Sequence, residues 1–387
     1  MAISRLKEHY RRVLGENSDV RTASTQTAQE FVRLIEDGTV KPETVSVREM
    51  LDVFALNNIR QRDPDFEPNF SNIDEVREEI MSSHFPWATG KLLHPVMIAP
   101  YELATGDVLQ LFTQVNSRRM EEDIIGFGAG DRARHVEEGM PYPSNAFVEK
   151  RCRIRNHKLG KAIDLTVEAV LFDQTDQILQ VARQRGTDLG ATVEEFCCYR
   201  LMDTAWTVID ETTSQAMVVD GTRRAMYADT AAAWDTYAND NLVGSGSGGV
   251  PSNAQMKLIM QLFAQMKNDK NDPIRVTPRV VFANTMMAHD CDQYLRANNY
   301  DVNSAERDEN MYKGRFRTFY SPMFPETASW FCGDPQQQFR VQWVWKPKIT
   351  TDSKGDPKRD VLVEYIASVY LGIGSTDYRF VVRNYGS

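Results

Sequence analysis

The spacing of the apolar residues changes abruptly near the middle of this chain, and this change limits the fold more than any other feature. Between residues 149 and 170, apolar and polar side chains alternate, which is the pattern of strands with two different faces. From residue 178 to residue 200, apolar side chains recur at every third or fourth position, as on one face of a long helix. The sequence therefore predicts two extended limbs that lead directly into a long helix.

The first extended limb is strongly basic. Arg151, Arg153 and Arg155 occupy alternate positions, and a turn is predicted at residues 156–158 before a returning limb over residues 162–169. A hairpin of this kind buries too little apolar surface to be stable alone, so it needs another surface to lie on. We expect that surface to belong to another copy of the chain.

The cations of this hairpin, called the basic segment below, are the candidate contact residues: Lys150, Arg151, Arg153, Arg155, Lys158 and Lys161. The candidate acidic partners on a neighbouring copy are Glu194, Glu195, Glu306, Asp308 and Glu309. Charge pairs of this kind set the register of a contact more than they add affinity. Nucleic-acid binding by residues 150–161 is an alternative function, although few aromatic residues lie among these cations.

The composition restricts the class of protein. A net charge of −9 argues against a general nucleic-acid-binding surface, which needs an excess of lysine and arginine. No apolar run is long enough to span a membrane, and the N-terminus lacks the apolar segment of a secretory signal. The five cysteines form no CxxC pair, a pattern typical of reduced thiols in the cytoplasm.

No catalytic, cofactor or metal site is predicted. The glycine-rich residues 126–131 lack the GxGxxG pattern, and residues 244–249 lack the lysine of a phosphate-binding loop. Residues 289–292 are of metal-ligand types, but neighbouring positions on a helix point to different sides. We therefore expect no enzymatic activity. A soluble enzyme with a site assembled from distant residues is the alternative.

The remaining segments predict an α+β fold with strands from distant parts of the chain. Short amphipathic helices are predicted within residues 1–88, and residues 95–112 are expected to mix strand and turn. An amphipathic helix is predicted at residues 252–266. A buried strand at residues 279–284 ends on Asn284, which is expected to cap the next helix. The C-terminal part alternates strongly and predicts long strands.

This order of parts resembles the major capsid protein of tailed bacteriophages, which has the Hong Kong 97-type fold. The resemblance covers about residues 90–387, and it lies in the order of elements, above all the extended loop at 138–170 and the long helix at 173–203. It implies an α+β chain with an N-terminal arm, an extended β-hairpin loop, a spine helix, a peripheral domain and an axial domain. The implied boundaries are 1–90 for the N-terminal helical region or arm, 91–124 for a strand and turn region, 125–172 for the extended loop, 173–208 with 336–372 for the spine helix and peripheral domain, and 209–335 with 373–387 for the axial domain.

The resemblance also implies a function. Copies of the chain would assemble as pentamers and hexamers into an icosahedral head that encloses the phage genome without sequence-specific DNA binding. The implied partners are other copies of the chain, with scaffolding, portal and decoration proteins as further candidates. The protein would be made in the cytoplasm of the host bacterium and end in the virion. An encapsulin-type compartment of the same fold, which encloses a protein cargo, is the alternative.

Three finer expectations accompany this resemblance. Some members of the family join the extended loop to a neighbour through a Lys–Asn bond, but residues 350–360 contain no asparagine, so we expect no such cross-link. We expect residues 1–88 to remain in the shell as an ordered arm or helical domain. Because a container of DNA should not hold it tightly, we expect a neutral or acidic inner face.

Overall fold

The computed structural model describes residues 8–13, 15, 20–42, 45–68, 72–127, 135, 149–166, 169, 177–203, 217–219, 222–224, 226–227, 240–243, 250–268, 272–298, 310–352 and 361–385. The chain forms two compact units. The first unit contains residues 1–105, 158–192 and 345–370, and the second contains residues 106–157, 193–344 and 371–387.

Short helices form much of the first unit. They are α1 (Val20–Glu36), α2 (Val47–Leu51), α3 (Asn57–Arg62) and α4 (Ile73–Ser82), with a π-helical turn over Asp52–Leu56. Helices as short as α2, α3 and α4 are marginal in isolation, so the packing of their apolar faces must stabilise them. Phe31 and Phe54 illustrate this packing, since both rings are buried and their centroids lie 5.9 Å apart.

Helix α5 (Phe85–Thr105) shows that the expected strand and turn at residues 95–112 was wrong. The helical region continues to residue 105, so the implied boundary between 1–90 and 91–124 falls inside a helix. The first strand, β1 (Thr113–Asn116), begins only after a short 3-10 helix over Val108–Leu111.

Two prolines within α5 explain the wrong prediction. Pro95 and Pro100 lack a backbone N–H and crowd the preceding turn, so a helix is expected to break there. Leu92, Leu93 and Val96 are nevertheless buried in the core of the first unit. This apolar burial outweighs the hydrogen bonds that the prolines cannot make.

The helices of the first unit pack on a sheet. Within this unit, residues of β12 (Val361–Ser375) lie between those of β4 (His157–Thr166) and β11 (Phe339–Asp352). Alternate side chains of β4 and β12 enter the same core as the helices: Ile163, Leu165, Val363 and Tyr365. The Tyr365 hydroxyl also donates a hydrogen bond of 3.2 Å to the carbonyl oxygen of Pro86.

The long helix α6 (Gln177–Leu201) confirms the prediction from the spacing of apolar residues. Two of its glycines lie against α5. A Cβ atom added at Gly186 would lie 2.3 Å from the Met97 carbonyl oxygen, and one at Gly190 would lie 2.6 Å from that of Tyr101. Residues four apart share one face of a helix. The two glycines therefore let the backbones of α5 and α6 approach closely.

The second unit contains a five-stranded sheet in the order β7-β13-β10-β8-β9. Its strands are β7 (Leu242–Val243), β13 (Val381–Asn384), β10 (Trp330–Gly333), β8 (Val280–Asn284) and β9 (Arg317–Ser321). Strand β10 is antiparallel to β8 and β13, whereas β9 is parallel to β8 and β7 is parallel to β13. Helices α7 (Asn253–Gln265) and α8 (Ala288–Arg296) contribute to the core beside this sheet.

Several predictions for the second unit are confirmed. The strand at 279–284 and the helix at 252–266 occur as β8 and α7. The Asn284 side chain accepts a hydrogen bond of 2.9 Å from the Met286 backbone N–H, which is the predicted cap. In the same unit, β1 pairs in parallel with residues 340–343 of β11, which follow the short helix α9 (Pro335–Gln338).

Candidate intersubunit surface

A second sheet of the second unit contains the first part of the basic segment. The order of its strands is β2 (Glu121–Phe127), β3 (Glu149–Arg155), β5 (Met217–Val219) and β6 (Thr222–Arg224). Strands β2 and β3 are antiparallel along their full length, with Glu121 opposite Arg155 and Phe127 opposite Glu149. We call this pair the loop ribbon. The connection from β2 to β3 lies outside the described residues, except His135.

The pairing of the loop ribbon corrects the predicted hairpin. Strand β3 pairs with β2 and β5, not with the limb that follows residues 156–158, and that limb belongs to the sheet of the first unit as β4. Asn156 explains the difference. Its backbone N–H donates to the Met120 carbonyl oxygen at 2.8 Å, and its side chain donates to that of Arg119 at 2.7 Å. These bonds hold the end of β3 beside the start of β2.

Two arginines of the basic segment contact carboxylates directly across the loop ribbon. Arg153 donates to both oxygens of Asp123, with 2.8 Å from Nε to Oδ1 and 3.4 Å from Nη2 to Oδ2. The Nε atom of Arg155 lies 3.6 Å from Oε1 of Glu121. Opposite charges at facing positions stabilise an antiparallel pair. The basic limb is therefore partly neutralised within its own chain.

The other face of β3 is apolar and closed. Cys152 and Ile154 are both buried, and burial raises the pKa of the Cys152 thiol to about 12. A thiol with such a pKa stays protonated and unreactive at neutral pH. Cys152 therefore has a packing role.

Lys150 and Arg151 lie at the far end of β3. They are opposite Gly126 and Ile125 on one side and opposite Val219 and Val218 on the other. Strand β3 is therefore an interior strand of this sheet at its basic end, since β2 pairs with one edge and β5 with the other. Strand β5 in turn pairs with β6. The sequence analysis predicted no strands at residues 217–224.

The two lysines of the basic segment that follow Asn156 lie in the first unit, where they make different contacts. Lys161 Nζ lies 2.8 Å from Asp188 Oδ2 on α6, and this hydrogen bond is the main reason that the pKa of Asp188 is lowered. Lys158 Nζ instead lies 5.8 Å from the ring centroid of Trp345, within the range of a cation–π contact.

The acidic candidates fall into two groups. Glu194 accepts a hydrogen bond of 2.7 Å from the Ser321 hydroxyl, and burial raises its pKa. Glu195 is half-buried on α6. Glu306, Asp308 and Glu309 lie outside the described residues. Among the described contacts, neither Glu194 nor Glu195 forms an ion pair with the basic segment of its own chain.

The sequence analysis missed the acids that the basic segment does contact, namely Glu121, Asp123 and Asp188. A signal for two of them is present, because Glu121 and Asp123 alternate in the manner of Arg153 and Arg155. Recognising it required the antiparallel register of β2 and β3. Asp188 carries no comparable signal, since its contact joins a strand and a helix.

Two features are absent from the described residues. No described helix is long and apolar enough to cross a membrane. Within the same residues, no cluster of three or more His, Cys, Asp or Glu side chains is placed to hold a metal ion.

Comparisons with known proteins identify the family. A family model described as "Phage capsid protein" matches residues 154–384, more than half of the chain. No curated protein sequence matches the chain. Among solved structures, the capsid of a native GTA particle has a TM-score of 0.50 at 12% identity and covers 73% of this chain and 91% of its own.

Two other solved structures are similar at lower TM-scores. The cyanophage P-SCSP1u capsid has a TM-score of 0.47 at 12% identity, covering 72% of this chain and 86% of its own. The Mycobacterium phage Cain chain has a TM-score of 0.43 at 14% identity, covering 72% of this chain and 89% of its own. From the family match and the shared fold of the GTA capsid, the chain belongs to the phage capsid protein family and has the Hong Kong 97-type fold of the major capsid proteins of tailed bacteriophages.

Proposed function

We propose that this structural capsid protein assembles as pentamers and hexamers into the icosahedral head of a tailed phage. The family match over residues 154–384 carries this proposal. The protein is made in the host cytoplasm and encloses DNA behind a neutral or acidic inner face. Scaffolding, portal and decoration proteins are candidate partners of the shell, and we propose no enzymatic activity.

The charge pairs of the loop ribbon favour a role in protein contacts over nucleic-acid binding. Arg153, Arg155 and Lys161 each lie near a carboxylate of their own chain, which weakens the positive field that phosphates would need. A specific contact with another protein needs less excess positive charge than nucleic-acid binding does. This comparison supports a shell subunit over the alternative of a DNA-binding hairpin.

The basic segment nevertheless keeps donors for a neighbour. Arginine has five N–H donors, and Arg153 directs two of them at Asp123. Its side chain is 59% exposed, and that of Arg155 is 49% exposed. We propose that these outward donors contact acidic side chains of the adjacent subunit, with Glu194, Glu195, Glu306, Asp308 and Glu309 as candidates.

Electron microscopy and sedimentation of the purified full chain test the assembly. We expect closed shells or their pentameric and hexameric building units, because one subunit must occupy both kinds of ring. A preparation that stays monomeric or dimeric at all protein concentrations, salt concentrations and pH values tested, with or without a scaffolding protein, would contradict the proposal.

Replacement of Arg153 by aspartate is expected to prevent shell formation and to lower the melting temperature, since Asp123 would then face a like charge. The matched control is the exchange of both residues, Arg153→Asp with Asp123→Arg, which keeps the pair within the chain. We expect this exchange to restore the melting temperature but not the shells, because the outward charge moves to the neighbouring strand. Recovery of normal shells by the exchange would show that Arg153 acts only inside its own subunit.

A further inference from the structure

The sheet of the first unit carries exposed lysines on the face opposite its helices. In β4, Lys161 reaches α6, and Ile163 and Leu165 enter the core that α6 shares with the other helices. Side chains alternate between the two faces of a strand, so Lys158 points to the opposite face, and it is exposed. Lys348 of β11 is exposed as well.

An aromatic pair joins these two lysines. The Nζ atoms of Lys348 and Lys158 lie 4.2 Å and 5.8 Å from the ring centroid of Trp345 on β11. Tyr370 of β12 packs edge-to-face on the same indole, with ring centroids 4.8 Å apart. Cations are attracted to the faces of aromatic rings, most strongly to tryptophan. Three strands thus place two ammonium groups around one ring, and we call this surface the lysine face.

The two ammonium groups of the lysine face lack a counter-ion. No carboxylate among the described residues lies within salt-bridge distance of either Nζ atom. Asp164 and Glu364 share this face by alternation, but they are six residues from Lys158 and Tyr370, which is roughly 20 Å along a strand. Two like charges held at one ring repel each other. An anionic partner would relieve this repulsion.

The packing of Trp345 alone does not explain its presence at this position. Its Nε1–H is shielded from solvent, and among the described residues it has no hydrogen-bond acceptor. Burying an indole N–H without an acceptor costs free energy. Phenylalanine would avoid this cost, but its ring attracts ammonium groups less strongly. This comparison favours a role for the indole in holding the two lysines.

The geometry of the lysine face favours carboxylates over nucleic acid as its ligand. Bases of a single strand stack on open aromatic rings, whereas the ammonium group of Lys348 lies over the indole of Trp345. A nucleic-acid surface also needs an excess of cations, and the chain has a net charge of −9. A short acidic segment of a protein needs only a few cations.

We propose that the lysine face binds an acidic segment of a different protein, whose carboxylates pair with Lys158 and Lys348. Trp345 is a positioning residue, because it holds both ammonium groups in place before binding and so reduces the entropy that binding costs. Obligate contacts between copies of one chain are large and apolar, whereas two exposed lysines give a weaker polar contact. This difference favours an added protein over a second copy, so the inference goes beyond the proposed self-assembly.

Binding of a fluorescein-labelled hexaglutamate peptide to the full chain tests this inference. Fluorescence anisotropy at low ionic strength measures the Kd where exposed ion pairs are least screened. Lys158→Gln and Lys348→Gln are each expected to raise the Kd about threefold, and together about tenfold. Trp345→Leu keeps both lysines and should raise the Kd about threefold, whereas Trp345→Phe keeps a ring and should retain most of the affinity.

Lys346→Gln is the matched control for the peptide experiment. Lys346 is exposed on the same strand and contacts no ring among the described residues, so its replacement should change the Kd less than about twofold. An equal loss of affinity in this control, or no binding by the parent protein, would overturn the inference. Equal or tighter binding of a labelled oligothymidylate through the same lysines would also overturn it, because the ligand would then be nucleic acid.

Electron microscopy of the double variant separates this inference from the proposed function. We expect the protein with both Lys158→Gln and Lys348→Gln to form normal shells, with an unchanged circular dichroism spectrum. Loss of shells in this folded variant would show that the lysine face joins copies of the chain, and it would overturn the choice of partner. If the parent protein binds the peptide but forms no shells, the lysine face stands and the assembly is rejected.

Discussion

Replacing Gly186 by alanine is expected to lower the free energy of unfolding by about 1–2 kcal/mol. Overpacking of a well-packed site costs about 1–3 kcal/mol, and a Cβ 2.3 Å from the Met97 carbonyl oxygen meets backbone, which cannot rotate away as a side chain can. The helix propensity of alanine returns up to about 1 kcal/mol of that cost. Urea unfolding followed by circular dichroism measures the difference.

The neighbouring exposed residue supplies the control for this prediction. Thr187→Ala on the outward face of the same helix should change the free energy of unfolding by no more than about 0.5 kcal/mol. Gly190→Ala should resemble Gly186→Ala, since its Cβ would lie 2.6 Å from the Tyr101 carbonyl oxygen. If both glycine variants are as stable as the parent protein, α5 and α6 do not pack as closely as the structure shows.

Replacing Asp203 by asparagine is expected to stabilise the protein at pH 8 and to have little effect near pH 4. Asp203 follows α6 with φ of 57°, in the left-handed region that asparagine also tolerates. Burial raises the pKa of its carboxyl from 3.8 to about 6, against the opposing effects of the Met226 N–H and of Arg200 and Arg383. The ionised form is therefore unfavourable in the folded protein.

The direction of the pH dependence follows from these values. Because the pKa of Asp203 is higher in the folded state, its stabilising contribution is present below pH 3.8 and is lost as the pH rises through about 6. A shift of about two units corresponds to roughly 3 kcal/mol at most. We expect a gain of about 1–2 kcal/mol at pH 8, below this limit, because the amide that replaces the carboxyl brings two N–H donors into a buried site.

Urea unfolding at several pH values tests this prediction. Asp107→Asn is the control, because its carboxylate is in the same unit and its side chain is 63% exposed. It should follow the pH dependence of the parent protein. A loss of stability in Asp203→Asn at pH 8 would mean that the charge of Asp203 is needed by Arg200 and Arg383, and the prediction would be wrong.

Local periodicity predicted the elements whose stability depends on one buried face. The helix α6, the helix α7 and the strand β8 with its Asn284 cap were all predicted close to their observed bounds. Helix α5 was not, because the local preference of its two prolines opposes the burial of their neighbours. Burial is a property of the folded chain, and no local pattern reports it.

At the candidate intersubunit surface, too, the local pattern predicted the element but not its contacts. The alternation in residues 149–155 correctly predicted a strand with one charged and one buried face. The predicted pairing of this strand was wrong. A strand exposes hydrogen-bonding groups on both edges, and its own residues do not select which strand will pair with it. The bonds of Asn156 to Arg119 and Met120 make that selection.

By itself, the sequence therefore determined the kinds of most elements, their order along the chain and, through that order, the capsid family. Only the tertiary structure decided which carboxylates the basic segment contacts, which strands pair with β3 and where α5 and α6 pack together. These features join residues far apart in sequence. Such contacts depend on how the elements pack, because the free energy of a contact is set by the distance and burial of both partners.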